Sequence, residues 1–160
     1  MTITTWYLEM TSPEQLRPAR AVEGFEVRRI DPPDPVLSRR MYDLVGGPWR
    51  WTDRLGWDAM RWSAHLGRPG VQTWMGYLEG ELVGYAELGR SGTDVELVSF
   101  GLLPGFAGRG LGGALLEAAT RAAWAQGAAR VWLHTCSLDS PAALPSYQRR
   151  GYRQYDERTA

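Results

Sequence analysis

The glycine-rich stretch Leu102–Gly113 most constrains the fold of this chain, because it joins an apolar segment to the clearest helical segment. Four of the six residues from Gly108 to Gly113 are glycine, which is more than a tight turn needs. Glycines let a backbone approach a ligand closely and turn its N–H groups outward. Those amides, the positive end of the following helix and the charge of Arg109 together predict a site for a phosphate-bearing ligand.

Two nucleotide-binding interpretations of this stretch are excluded by its context. Gly108, Gly110 and Gly113 satisfy G-x-G-x-x-G, but that fingerprint needs an acidic residue about 20 residues further on, at the end of the next strand. The next predicted strand, Arg130–Cys136, contains no acidic residue. The phosphate loop that ends in Gly-Lys-Ser/Thr is excluded as well, since all 18 basic residues are arginine.

Proline and glycine divide the chain into short segments whose hydrophobic patterns indicate strands and helices. The predicted strands are Ile3–Met10, Gly24–Ile30, Val71–Leu78, Leu82–Leu88, Val95–Leu103, Arg130–Cys136 and Tyr152–Asp156. The predicted helices are a short one opened by Ser12–Glu14, then Val36–Val45, Asp53–Leu66, Leu111–Ala125 and Pro141–Arg150. This order predicts a mixed α/β fold, one sheet flanked by helices, in a single domain of 160 residues.

Composition narrows the class of protein. Acidic and basic residues number 18 each, so the formal net charge is zero and no basic surface for nucleic acid is expected. The single cysteine, Cys136, permits no intramolecular disulfide, and no His/Cys spacing indicates a metal site. No apolar run is long enough to cross a bilayer, and the N-terminus lacks the pattern of a signal peptide. We therefore expect a cytoplasmic protein that binds neither nucleic acid nor a membrane.

Two motifs resemble those of the GNAT superfamily of N-acetyltransferases. Ala107–Gly112 resembles its coenzyme A motif, [QR]-x-x-G-x-[GA], and Leu102–Pro104 resembles the V-x-P strand end that precedes it. Further on, Ala143–Tyr152 resembles the A-x-x-x-Y-x-x-x-G-[FY] signature. The resemblance covers roughly Gly24 to the C-terminus. It departs from the family at Ala107, where Gln or Arg is usual, and at Ser140, where asparagine is usual.

The resemblance implies a mostly antiparallel sheet that is splayed between the strands ending at Leu103 and Cys136, with acetyl-CoA bound at the splay. The coenzyme contacts it implies are Phe100, Gly101, Leu102, Ala107, Gly108, Arg109, Gly110, Leu111, Gly112, Gly113 and Ser140. Of these, the first three pair with the pantetheine arm and the loop amides hold the pyrophosphate. Residues 1–23 precede the resemblance, and we expect them to form an N-terminal extension packed on the domain.

Two side chains are candidates for the acid and base of acyl transfer. Glu96 is the candidate base: strict alternation would put it on one strand face with Val98, Phe100 and Leu102, where burial would raise its pKa. The alternative is a carboxylate in water or paired with an arginine. By the resemblance, Tyr147 lies beside the coenzyme sulfur and is the candidate acid. Its alternative role is packing in the core.

The acceptor side is indicated by an aromatic stretch. Trp49, Trp51 and Trp57, with Trp62 and nearby carboxylates, would suit a cationic or aromatic amine, or else they fill the core or a dimer interface. His134 ends a strand near the expected splay, where it would touch the acceptor or the thioester; the alternative is an ordinary core or surface histidine.

The resulting hypothesis is an acetyl-CoA-dependent N-acetyltransferase that acts on a primary amine, a small molecule in preference, by direct attack in a ternary complex. The alternatives are a non-catalytic acyl-CoA-binding sensor and a protein lysine or N-terminal acetyltransferase. A homodimer is a further expectation that the resemblance allows.

Overall fold

In the computed structural model, which describes residues 2–160, the chain is organised around one sheet of seven strands. They are β1 (Thr4–Met10), β2 (Phe25–Arg29), β3 (Gln72–Leu78), β4 (Glu81–Ser91), β5 (Asp94–Leu102), β6 (Arg130–Cys136) and β7 (Arg153–Thr159). Their order in the sheet is β2-β3-β4-β5-β6-β1-β7, and every neighbouring pair is antiparallel except β5 with β6. The predicted fold class, a mixed and mostly antiparallel sheet flanked by helices, is confirmed.

Four α-helices flank the sheet. They are α1 (Pro35–Gly46), α2 (Ala59–Leu66), α3 (Leu111–Ala125) and α4 (Ala143–Arg149), with short 3-10 turns at Pro13–Gln15 and Gly47–Trp49. The second helix begins later than the predicted Asp53, because the side chain of Asp58 accepts a hydrogen bond from the amide of Arg61 (2.8 Å) and caps the helix there. The residues before it form turns instead.

The helices divide the core between the two faces of the sheet. One face packs against α3 and α4, and its fully buried side chains include Leu8, Met10, Leu88, Val95, Leu116 and Leu133. On the other face α1 covers β4 and β5 through Met41, Val45, Met75 and Tyr85, while Trp62 and Leu66 of α2 pack with Tyr42 of α1. The N-terminal residues are part of the sheet, since β1 lies between β6 and β7 and is antiparallel to both.

A β-bulge at Val98 changes which side chains of β5 share a face. Glu87 of β4 lies opposite Ser99, whereas Leu88 lies opposite Leu97, so Val98 is an extra residue in β5. The predicted common face of Glu96, Val98, Phe100 and Leu102 is therefore wrong. Leu97, Phe100 and Leu102 point towards α3, and Glu96 and Ser99 point towards the α1 side.

The splay in the sheet lies between β5 and β6. These parallel strands are in register over three pairs, the last of which is Glu96 with Trp132, and then they part. The predicted separation of the strand ends is thereby confirmed. β4 still pairs with β5 along one edge as far as Leu102, so only the edge that faces β6 is left open.

Candidate active site

The glycine loop meets the start of α3 close to the splay. Gly108 and Gly110 have φ angles of 79° and 78°, which glycine adopts without strain, and Gly110 precedes the helix without a capping side chain. Within residues 2–160 no amide from Ala107 to Gly113 donates a hydrogen bond. Arg109 is exposed and lies over the ring of Phe106. The loop therefore presents a row of free N–H donors at a helix N-terminus, an arrangement that binds anions.

Arg150 adds a positive charge that the sequence did not single out. Its Nη1 atom is buried and has no hydrogen-bond partner in residues 2–160, and it lies 3.9 Å from where a Cβ on Gly113 would be. A buried guanidinium nitrogen without an acceptor, beside free helix-start amides, fits a bound diphosphate group. The signal for Arg150 was its position directly before the glycine of the second motif. The hydroxyl of Ser140 accepts a hydrogen bond from the amide of Ala142 (3.2 Å) and keeps its own proton to donate.

The open edge of β5 runs past Phe100, Gly101 and Leu102. A Cβ on Gly101 would lie 2.4 Å from Val45 of α1, so a larger residue does not fit there. The backbone groups that this edge turns towards β6 have no strand partner beyond Glu96. Peptide groups without partners need water or a ligand with amides of its own. The edge is therefore suited to an extended ligand that can pair like a strand.

Glu96 and His134 meet on the α1 side of the splay. The Nε2 atom of His134 lies 3.7 Å from Oε2 of Glu96, and 24% of the Glu96 side chain and 48% of the His134 side chain are exposed. Burial raises the pKa of Glu96 above its usual value, although the nearby His134 opposes that shift. A half-buried carboxylate with a raised pKa at an open gap can accept a proton from a ligand.

Tyr147 lies on the opposite face of the sheet. Its side chain is 8% exposed, and its ring is centred 5.9 Å from that of Phe100 and 6.2 Å from that of Tyr152. Burial raises the pKa of the phenol far above its usual range, so the group stays protonated, and its hydroxyl makes no hydrogen bond within residues 2–160. The structure thus places a candidate base and a candidate acid on opposite sides of one gap.

Asp139 connects the two sides at the open end of the splay. Its carboxylate accepts hydrogen bonds from the hydroxyl of Thr135 (2.5 Å) and the amide of Cys136 (2.9 Å), at the end of β6. It also accepts one from the indole N–H of Trp51 (3.4 Å), which follows α1. Trp51 is therefore held beside the gap.

The other tryptophans divide between the interior and the surface. Trp62 is 1% exposed and belongs to the core, whereas Trp49 is 37% exposed. The guanidinium of Arg54 lies 4.7 Å from the ring centroid of Trp57 and 5.1 Å from that of Trp62. The cation in this aromatic cluster is therefore Arg54 of the chain itself. For Trp62, the structure shows the predicted alternative, a side chain that fills the core.

Glu87 anchors this cluster to β4. Both carboxylate oxygens accept hydrogen bonds from Arg54 at 2.7 Å, and Nε2 of His65 lies 2.9 Å from one of them. Burial opposes ionisation of Glu87, but the contacts with Arg54 and His65 outweigh it and hold its pKa below the usual value. These three residues are far apart in the sequence. The one available signal was an acidic residue within the apolar strand Leu82–Leu88.

Residues 2–160 contain no group of three His, Cys, Asp or Glu side chains arranged to hold a metal ion. In the same range no helix is both long and apolar enough to span a membrane.

The fold is the one that GNAT acetyltransferases share. The model of the Acetyltransferase (GNAT) family matches residues 38–152, so the chain belongs to that family. Enzymes of this family transfer acyl groups and generally use acetyl-CoA as co-substrate. No curated protein matches the chain by sequence.

Solved structures share the fold. A GCN5-related N-acetyltransferase from Sphaerobacter thermophilus has a TM-score of 0.77 at 17% identity, over 98% of this chain and 50% of that one. An aminoglycoside acetyltransferase from an uncultured soil metagenomic sample, in complex with sisomicin, has a TM-score of 0.64 at 13% identity, over 79% and 88%. The ribosomal-protein-S18-alanine N-acetyltransferase from Escherichia coli has a TM-score of 0.63 at 17% identity, over 82% of this chain and 79% of that one. The chain spans 50% to 63% of the length of five structures that it matches almost end to end.

The substitution Glu87→Gln is expected to lower the free energy of unfolding by about 3–5 kcal/mol, because the neutral glutamine leaves the guanidinium of Arg54 buried without a counter-ion. Urea denaturation measures this loss. The control is Glu26→Gln, which breaks an exposed ion pair with Arg28 and should leave the midpoint unchanged. Equal midpoints for the two variants would show that the buried pair does not stabilise the fold.

Proposed function

We propose that this protein transfers the acetyl group of acetyl-CoA to the nitrogen of a primary amine, with a small molecule as acceptor, by direct attack in a ternary complex. The observation that carries this proposal is the position of Glu96 and Tyr147 on opposite faces of the sheet, at a gap beside a loop of free amides. One group can take a proton from an amine on one side while the other gives a proton to sulfur on the other side.

The residues that would hold the coenzyme fit its chemical groups. The amides of Ala107–Gly113 and the guanidinium of Arg150 suit the pyrophosphate, and Arg109 lies free at the rim of the same loop. The open edge of β5 at Phe100–Leu102 suits the amide-bearing pantetheine arm. When bound, acetyl-CoA supplies an acetyl group activated as a thioester.

The acid and base complete a balanced transfer. A free alkylamine has a pKa of about 10.4, so it must lose a proton to become a nucleophile near neutral pH. That proton is lost to solvent before the attack, and Glu96 accepts a second proton from the neutral amine as the carbon–nitrogen bond forms. Tyr147 donates its phenolic proton to sulfur as the carbon–sulfur bond breaks, and burial disfavours negative charge on the sulfur as it does on the phenolate. The products are an N-acetyl amine and a thiol, and solvent restores both side chains.

A second candidate function is a non-catalytic sensor of acyl-CoA. Ala107 and Ser140 favour it, because both depart from the motif residues that usually contact the coenzyme. Glu96 and Tyr147 oppose it, since a binding protein needs neither an acid nor a base at the gap. A protein acceptor is disfavoured for a different reason. The described surface offers aromatic side chains beside Glu96, whereas a lysine-rich substrate is better matched by an open acidic groove.

Acetyl-CoA binding tests the proposal directly. Calorimetry is expected to detect a complex with acetyl-CoA, and Gly110→Val should weaken it at least about tenfold by forcing a β-branched residue into a positive φ and moving the loop amides. Gly80→Val is the control, because its φ of 82° gives the same strain in a hairpin turn away from the loop. Wild-type protein that does not bind acetyl-CoA would refute the proposal.

Glu96→Gln is expected to reduce turnover about 100-fold in a thiol-release assay at neutral pH. In the wild type, turnover should fall as the pH drops through the raised pKa of Glu96, because the base works only when it is ionised. The variant should lose that acidic limb. Asp94→Asn, on the same strand, is the control and should retain it. A variant with the wild-type pH profile would exclude Glu96 as the base.

Tyr147→Phe is expected to lower turnover at least about tenfold while leaving the affinity for acetyl-CoA unchanged, because it removes only the proton donor. The matched control is Tyr152→Phe, because Tyr152 is also buried but its hydroxyl is hydrogen-bonded to that of Thr120 (2.7 Å). Its turnover should stay at the wild-type level. If both variants turn over at the same rate, Tyr147 has only a packing role.

A further inference from the structure

A second aromatic surface lies next to Glu96, on three neighbouring strands. The side chains Tyr7 (β1), Trp132 and His134 (β6) and Tyr155 (β7) form a continuous row, which we name the aromatic platform. The ring of Tyr7 is centred 5.8 Å from that of His134 and 6.2 Å from that of Tyr155, and Trp132 lies 6.3 Å from His134. Since Trp132 is also the register partner of Glu96, the row begins at the candidate base.

The helices of residues 2–160 leave this part of the sheet uncovered. α3 and α4 pack on its opposite face, where Leu8 and Leu133 are buried, and α1 covers β4 and β5. On the platform 48% of the His134 side chain is exposed, and Tyr155 is 44% exposed. A row of aromatic rings at the surface beside a reacting group is unusual for a sheet face that only needs to be solvated.

The charges around the platform favour one kind of ligand. Arg130 lies over Tyr155 but is paired with Glu9 (2.7 Å) and Asp94 (3.3 Å). The guanidinium of Arg158 lies 5.0 Å from the ring centroid of Tyr7. The Arg158 side chain is 71% exposed, and its ion pair with Asp156 is also at the surface, so a ligand can displace Arg158 from Tyr7 at a small cost in free energy. Glu96 is the carboxylate on this surface that no arginine bridges within residues 2–160.

We propose that the aromatic platform is the acceptor subsite and selects arylalkylamines, in which a planar aromatic ring is one or two carbons from a primary amine. The ring lies against Tyr7 and His134, and the nitrogen reaches Glu96 at the gap. An acceptor with several amines finds one free carboxylate here, so the single amine on a flat ring is the better match. This inference rests on the proposed function for the reaction, but the binding of the amine can be measured without turnover.

The test compares 2-phenylethylamine with 2-cyclohexylethylamine, which has the same length and charge but a saturated ring. In the thiol-release assay with acetyl-CoA, the KM of wild-type protein for the aromatic amine is expected to be about three- to tenfold lower. Tyr7→Leu should remove most of this preference by raising that KM, with kcat within about twofold and the affinity for acetyl-CoA unchanged. Tyr77→Leu is the control: Tyr77 is also a half-buried strand tyrosine under an arginine, Arg28, but it lies on β3.

A separate measurement keeps the subsite and the reaction distinguishable. Calorimetry of each amine against the protein saturated with CoA reports binding even if no acetyl transfer occurs, and 2-phenylethylamine should again bind more tightly. Equal affinities in this experiment, or a Tyr7→Leu variant that behaves like Tyr77→Leu, would overturn the inference. Preferential binding without turnover would instead leave the subsite standing and contradict the proposed reaction. A dimer that dissociates in the Tyr7→Leu variant, measured by sedimentation velocity, would show that a second copy covers the platform and would also overturn it.

Discussion

The parallel strands β5 and β6 stay in register over three residue pairs and then part, and the geometry of the candidate site depends on that separation. A strand inside a sheet normally has both edges satisfied, whereas here one edge of β5 beyond Glu96 lacks a strand partner. Closing the gap would restore those hydrogen bonds but would leave no passage between the two faces. The loss is confined to one short edge, because β4 pairs with β5 on its other side and β1 pairs with β6.

The bulge at Val98 places the candidate base and the candidate acid on opposite sides of the gap. In a regular strand Glu96 would share a face with Phe100, and the candidate base would lie on the same side as Tyr147. The extra residue turns Phe100 towards α3 and α4 and leaves Glu96 beside His134. A base and an acid separated by the sheet can act on the same bond only if that bond lies within the gap. The bulge and the parted strands are therefore two parts of one arrangement.

Sequence reasoning found the elements that local patterns specify. The helix Leu111–Ala125 and the strand Arg130–Cys136 have the predicted bounds, because glycine and apolar periodicity mark both ends. The bulge at Val98 has no such signature: its residues alternate like any strand, and only the pairing with β4 reveals the shift.

Contacts between residues that are distant in the sequence could not be predicted either, because they also depend on how the strands pair. Nothing near Glu87 in the sequence announces that Arg54 and His65 close on it, and nothing in the first ten residues says that they pair between β6 and β7. Of the candidate site, the loop amides and the two titratable groups could be predicted. Which face each group occupies could not, because it depends on register.

The two aromatic clusters of this protein show why residue type alone does not identify a binding site. The tryptophans around Arg54 have the composition of an amine pocket, but their cation is already present, and Glu87 neutralises it in the interior. A ligand amine would have to displace a buried, doubly hydrogen-bonded guanidinium, which costs more than a new cation–π contact returns. On the aromatic platform the arginine over Tyr7 is solvent-exposed, so the same kind of contact is weak and reversible. An aromatic cluster therefore has a structural role when a buried arginine of the chain already packs against its rings, and it can bind a ligand when that arginine is exposed and easily displaced.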